Sequence, residues 1–271
     1  MPDAPAISVL MTAFNSQAYI VEAIQSILNQ TFTKFEFIIL DDASTDGTWE
    51  IINKYASKDQ RIIALKNEKN LGISGSRNRL VNLAKGEFII WQDADDISLP
   101  SRLEKQYQFM INHPQVGISG GGLEFFEGNK ILGTRKYALT DSELRKKIFR
   151  YSPVAQPAAI VRTRALKNIN GYNPKLSVAE DLDVAFRLGQ NYQFANLPEI
   201  VLRYRHQKNS ITFQKLKILE INTLKIRYYF LKNPAYHPSI LDIIYNLLQL
   251  ATLFLMPSSL RVYLFNHIRN S

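Results

Sequence analysis

From Ile7 to Ile111 the apolar positions change period repeatedly. Short unbroken apolar runs alternate with stretches in which apolar residues recur every three or four positions. Residues 7–11 form the first run, which ends in a polar loop at 12–16. Ile20, Ile24, Ile27 and Leu28 then line one face of a helix. Residues 35–40 read as a buried strand stopping at Asp41-Asp42. A helix is expected after Asp46-Gly47, with Trp49, Ile52 and Tyr55 on one side. The spacing predicts a weaker strand over 61–65, a helix over 74–84 and a strand over 88–91 that ends at Asp93-Ala94-Asp95-Asp96. Beyond Pro100, Ser101 and Glu104 have the spacing of a capping box, opening a helix with Leu103, Tyr107, Met110 and Ile111 inward.

Strands and helices in alternation predict an α/β fold, a mostly parallel sheet flanked by helices. Ligands of such sheets bind beyond the carboxyl ends of the strands. The loops at 12–15, 41–44 and 93–96 should therefore open on one edge. Further on, 116–126 reads as a strand in which Gly120-Gly121-Gly122 marks a close backbone approach or a bend. Thr140 and Glu143 form another capping box. Residues 158–161 are strand-like, and Glu180 opens a helix carrying Leu182, Ala185, Phe186 and Leu188. From Ile211 the pattern is mostly helical. The division expected is a catalytic domain over 1–210 and a C-terminal helical extension over 211–271.

Composition narrows the chemistry. The 271 residues are 46% hydrophobic and 21% charged, with no cysteine, so disulfides, thiolate metal sites and a cysteine nucleophile are excluded. The start of the chain lacks a basic segment followed by an apolar one, so a cytoplasmic location without a signal peptide is expected. The net charge of +9 is uneven: from Arg203 onward ten Lys/Arg face only Glu220 and Asp242. Residues 240–256 are strongly apolar but fall short of the roughly 20 residues a membrane span needs. A helix with Ile240, Ile243, Ile244, Leu247, Leu248 and Leu250, flanked by Arg227, Lys232 and Arg261, either rests at the cytoplasmic face of a membrane or packs on protein. Nucleic-acid binding has no matching motif.

Asp93, Asp95 and Asp96, joined by Asp41-Asp42 from another loop, repel one another and call for a cation. Oxygen ligands without His or Cys spacing favour Mn2+ or Mg2+ over zinc, and such ions complete their shells with substrate phosphates. That points to a nucleotide donor.

On these residues the sequence resembles the family 2 glycosyltransferases, inverting enzymes with the GT-A (Rossmann-like) fold. Ser8-Val9-Leu10-Met11-Thr12-Ala13-Phe14-Asn15 is similar to the family's opening strand and loop, and residues 23–31 to the helix after it. Residues 40–48 (LDDASTDGT), 70–78 (NLGISGSRN), 93–96 (DADD) and 180–183 (EDLD) with Arg187 follow in the family's order. Thr12 and Phe14 stand where the family often has proline and tyrosine. The resemblance implies a nucleotide-sugar donor, UDP-sugar by default, held by Thr12, Ala13, Phe14, Asn15, Asp41, Asp42, Arg77, Asp93 and Ala94. It implies Asp95 and Asp96 on the metal, with His206 reaching the metal or diphosphate. Asp181 becomes the general base, with Glu180 beside it. The acceptor expected is a glycan or lipid-linked hydroxyl in cell-surface polysaccharide synthesis.

Plainer readings stand beside these roles. Asp181 at a helix N-terminus meets the helix dipole in any case, and Arg77 is equally a helix-surface charge. A sugar-1-phosphate nucleotidyltransferase would carry a Gly- and Arg-rich first loop, which residues 12–16 lack. A catalytically silent homologue that binds nucleotide-sugar as a scaffold is the alternative of another class.

Overall fold

The computed structural model describes residues 4–207, 215–257 and 260–261. At its centre β1 (Ile7–Ala13) lies between β2 (Phe35–Asp41) and β4 (Phe88–Trp91), parallel to both, with β3 (Ile62–Lys66) parallel to β2. Strands covered on both faces read as unbroken apolar runs, and these do. Their side chains alternate between two cores. Ile7, Val9, Met11, Phe37 and Ile39 pack on one face, while Leu10, Ile38 and Leu40 pack on the other. The first core is closed by α1 (Ile20–Leu28), α2 (Thr48–Ala56) and α4 (Arg102–Asn112), the second by α3 (Gly72–Leu83) and the helices within residues 141–230.

Beyond β4 come β8 (Ile160–Arg162), antiparallel to it, then β6 (Val116–Glu127), β9 (Gln193–Arg205) and β5 (Ile97–Ser98). β7 (Lys130–Arg135) pairs with β6, giving a nine-stranded sheet of order β3-β2-β1-β4-β8-β6-β9-β5. The expected mostly parallel α/β sheet is thus present. At the glycine triplet, a Cβ on Gly120 would stand 2.5 Å from Asn196 Oδ1, so β6 and β9 approach as closely as the sequence suggests.

The remaining helices are α5 (Asp141–Arg145), α6 (Thr163–Asn168), α7 (Glu180–Leu188), α8 (Leu216–Phe230) and α9 (Ile240–Leu255). The expected boundary near Ser210 lies outside the described residues. α8 and the turn after it join the second core: Phe230 stacks on Phe186 at 4.8 Å, and the Tyr236 hydroxyl donates to Phe186 O at 2.5 Å.

Some expectations need correcting. The Thr140–Glu143 capping box forms, but Ser101 makes no side-chain cap, and Glu104 instead accepts from Thr31 Oγ1 at 2.7 Å. Ile111 is exposed, and the inward face of α4 carries Arg102 and Gln106 with Leu103 and Met110. Polar residues replace the apolar one because α4 packs behind the acidic loop. There the Arg102 guanidinium donates to Trp91 O at 2.8 Å and Ser98 Oγ at 2.9 Å. Residues 156–158 form a 3-10 turn before the strand at 160–162. Arg227 and Arg261 are buried rather than flanking α9 in solvent; Arg261 pairs with Glu220 at 2.6 Å.

Candidate active site

Parallel pairing brings the sequence-predicted loops to one edge of the sheet. Ala13 is in register with Asp41, and Leu10 with Trp91, so the segments after β1, β2 and β4 leave the sheet side by side. Asn15, in the left-handed region at φ 49°, ties two of them together. Its Oδ1 accepts from Thr45 N at 2.9 Å, and its N–H donates to Ser44 Oγ at 2.9 Å. Ala13 is buried, Thr12 half-buried, and Phe14 exposed beside them.

The two aspartates after β2 do different work. Asp42 Oδ1 accepts from Asn67 Nδ2 at 2.6 Å and Leu71 N at 2.8 Å, and Oδ2 accepts from Gly72 N at 3.0 Å. Both of its oxygens are therefore occupied in holding the chain that opens α3. Asp41 is fully buried, with Ser44 N at 3.3 Å and Lys66 Nζ 3.9 Å away.

Around the acidic loop burial dominates, and crowding of like charge adds to it. Burial, reinforced by Asp93, pushes the Asp95 carboxyl up to about 6. Burial and the neighbouring Asp95 and Asp93 push Asp96 well above the carboxylate range. Asp95 Oδ2 accepts from Gln207 Nε2 at 2.6 Å, and Asp96 Oδ1 from Arg205 N at 2.9 Å. Asp96 Oδ2 is buried without a hydrogen-bond partner. Ala94, between Asp93 and Asp95, is buried. The end of β9 thus closes over the loop. Arg205 Nε donates to Asp95 O at 2.8 Å, and the guanidinium lies 4.7 Å from the Tyr19 ring centroid. His206, half-buried, follows directly, its N–H donating to Phe126 O at 2.8 Å. The sequence singled out His206 but not its neighbours Arg205 and Gln207; their position at the end of the long strand was the signal available.

An orphaned carboxylate oxygen and carboxyls pushed towards protonation by burial and by one another fit a hard divalent cation. Among the described residues no group of three or more His, Cys, Asp or Glu forms a ready-made cage. A Mn2+ or Mg2+ ion here would take one or two carboxylates and complete its shell with phosphate oxygens and water.

Arg77 joins the acidic loop to α7. It is buried on α3 with its guanidinium 5.2 Å from the Trp91 ring centroid and 5.4 Å from that of Tyr172. Nη1 donates to Glu180 Oε1 at 2.6 Å, and Nη2 lies 3.6 Å from Asp93 Oδ1. Arg77 is therefore not a surface charge. Tyr172, whose hydroxyl accepts from Gln156 Nε2 at 2.6 Å, walls this cluster and was not singled out by the sequence. Burial, then the Glu180 charge, push the Asp181 carboxyl up to about 6 against the pull of Arg77. The residue before this acidic pair, Ala179, sits at φ 64°, a left-handed conformation that costs a non-glycine residue on the order of 1 kcal/mol. It aims the first turn of α7 at the site, whereas Asp183 turns away to pair with Arg187 at 2.6 Å. Dihedral strain of this kind leaves no mark in composition or periodicity.

The arrangement sets one half-buried carboxylate with a raised proton affinity opposite an acidic, cation-seeking loop. That is the layout for taking a proton at one end and stabilising negative charge at the other.

Comparison with known proteins identifies the family. A family model described as "Glycosyl transferase family 2" matches residues 8–169. An uncharacterized glycosyltransferase of Methanocaldococcus jannaschii is 37% identical over 233 residues, covering 82% of this chain and 79% of that protein. The Escherichia coli UDP-Glc:alpha-D-GlcNAc-diphosphoundecaprenol beta-1,3-glucosyltransferase WfgD is 28% identical, covering 79% of this chain and 82% of its own. In fold, the chain is similar to the mannosyltransferase PcManGT of Pyrobaculum calidifontis, solved in complex with GDP-Man and Mn2+. The two share 17% identity at a TM-score of 0.65, covering 93% of this chain and 70% of that one. The motifs, the sheet order and these matches together make the chain a member of glycosyltransferase family 2, built on the GT-A fold.

Proposed function

We propose that the protein is an inverting, metal-dependent glycosyltransferase that moves a sugar from a nucleotide-diphosphate donor, UDP-sugar by default, to a hydroxyl of a glycan or lipid-linked acceptor. The observation that carries this reading is the Arg77 guanidinium, which bonds Glu180, the neighbour of Asp181, at 2.6 Å and lies 3.6 Å from Asp93 of the acidic loop.

The nucleoside is assigned to the edge made by Thr12, Ala13, Phe14, Asn15 and Asp41, with Asp42 acting through the loop it anchors. Asp93 and Ala94 lie at the ribose. Asp95, with Asp96 behind it, would hold a Mn2+ or Mg2+ ion, with His206 reaching the ion or the diphosphate. The ion supplies Lewis-acid stabilisation of the charge that gathers on the departing diphosphate. Asp181 accepts the proton of the acceptor hydroxyl as that oxygen bonds to the anomeric carbon. The bond from that carbon to the diphosphate oxygen breaks on the opposite face. A single displacement inverts the anomeric configuration, and a base with a pKa near 6 is largely ionised at neutral pH yet still basic enough to serve. Glu180 and Arg77 fix the position and charge of Asp181.

Support for the donor and acceptor classes comes from WfgD, whose name states UDP-Glc and a diphosphoundecaprenol acceptor, and for the metal from PcManGT, solved with Mn2+. Proton NMR of the first-formed product tests the stereochemistry. From an α-linked donor the product should be β, and an α product would overturn the single-displacement reading.

A further inference from the structure

Helix α9 is amphipathic with its faces reversed. Asp242, Asn246, Gln249 and Leu253 fall at i, i+4, i+7 and i+11, one stripe along the helix, and that stripe docks on the rest of the protein with Tyr245 beside it, 6.0 Å from the Tyr151 ring. Asp242 Oδ1 lies 2.7 Å from Arg150 Nε. Asn246 Nδ2 donates to Phe149 O at 2.8 Å, Gln249 Oε1 accepts from Arg227 Nη1 at 3.0 Å, and Leu253 is buried. The apolar residues face outward instead. Leu247 is 60% exposed, Phe254 76% and Leu255 81%, with Ile240, Leu241 and Leu248 comparably bare. Helices on globular proteins are turned the other way, with the apolar stripe inward. An apolar face of this length standing in water marks an interaction surface.

The charge pattern beside it identifies the partner. Over 215–261 the only carboxylates are Glu220 and Asp242, and both are buried against arginine. The exposed charges among the described residues of this stretch are Lys215, Lys217, Lys225 and Lys232. On α8, next to α9, Tyr228 and Tyr229 stand 78% and 79% exposed, a placement suited to the water–lipid boundary. A two-fold partner of the same chain would bring like-charged lysines together, whereas an anionic lipid surface attracts them. Sixteen residues rise about 24 Å, short of the roughly 30 Å hydrocarbon core. No helix of the described residues is long and apolar enough to cross a membrane.

We propose that the outward face of α9, with the tyrosines and lysines of α8, seats this protein on an anionic lipid bilayer, the helix lying along the surface with its apolar side chains in the acyl boundary. The docked polar stripe makes α9 a rigid part of the protein, so seating it also fixes the orientation of the domain to the membrane. This surface is independent of the transfer chemistry, and its test uses no sugar.

The experiment is co-sedimentation of the full chain with phosphatidylcholine vesicles and with vesicles also containing phosphatidylglycerol. The protein should partition onto the anionic vesicles. The double variant Leu247→Glu/Phe254→Glu should lower the partition coefficient at least about tenfold while leaving the unfolding midpoint unchanged, since both side chains are exposed. Lys225→Gln/Lys232→Gln should lower it by about fivefold per lysine removed. Equal binding to both vesicle types overturns the anionic requirement. Failure to bind the anionic vesicles overturns the proposal. If light scattering then shows a dimer that Leu247→Glu/Phe254→Glu disperses, a second copy covers the face instead.

Discussion

Arg77 Nη1 donates to Glu180 Oε1 at 2.6 Å, with both side chains largely withdrawn from solvent. The pair clamps α3 to α7, and Nη2 faces Asp93 at 3.6 Å, so one guanidinium neutralises carboxylates on both sides of the site. Removing one member leaves a buried charge uncompensated, which is far more destabilising than removing both. Arg77→Met should lower stability by about 3–5 kcal/mol in urea unfolding, and adding Glu180→Met should restore most of it. A single variant within about 1 kcal/mol of the parent would mean the pair is not structural.

The proton affinity of Asp181 sets a pH profile. With its carboxyl raised to about 6 by burial and by Glu180, kcat/KM should climb with pH through about 6 and flatten above, as the base loses its proton. Glu180→Gln removes a charge that favours the protonated form, so the limb should move to lower pH. Stability carries the opposite slope: this carboxyl contributes fully below its ordinary value of 3.8, and the contribution is lost as pH rises through about 6. A limb unmoved in the Glu180 variant would assign it to another group.

Asp41 and Asp42 should separate experimentally. Asp42 holds three donors from the chain that opens α3, so Asp42→Ala should lower stability by about 3 kcal/mol in chemical unfolding. Asp41→Asn should change stability by less than about 1 kcal/mol and weaken UDP binding about tenfold in calorimetry. The reverse pattern would exchange the two roles.

Much of this was legible in the sequence because it rests on short-range pattern. Runs such as those around Val9 and Ile38 are apolar on every position because both faces of those strands are covered, and that fixed the parallel sheet and the edge where the loops meet. The acidic residues of the site were visible as residues. Their partnerships were not, because those depend on contacts between distant segments: Arg77 with Glu180, Asp95 with Gln207, Asp96 with the Arg205 backbone. Apolar periodicity also misassigned Ile111, since the inward face of α4 has to supply hydrogen bonds behind the acidic loop. In α9 the pattern showed an amphipathic helix, but nothing local said that the polar side would face the protein.

Metal removal should act through the acidic loop. With a divalent ion present, Asp95 and Asp96 are held ionised against the burial that raises them. EDTA should abolish transfer, and Mn2+ or Mg2+ should restore it. Asp95→Asn should lower the rate at fixed Mn2+ by at least about a hundredfold, with donor binding retained in part through the nucleoside. Full activity in EDTA would remove the ion from the account.

The most direct test of the central claim is nucleotide release from UDP-, dTDP- and GDP-sugars, with Mn2+ and with EDTA, by the parent protein and by Asp181→Asn. The account predicts slow turnover of one donor class, lost in EDTA and lowered by about 10²–10⁴ in the variant. Turnover unaffected by Asp181→Asn would contradict the assignment of the base, and a protein that neither binds nor hydrolyses any donor would contradict the enzyme.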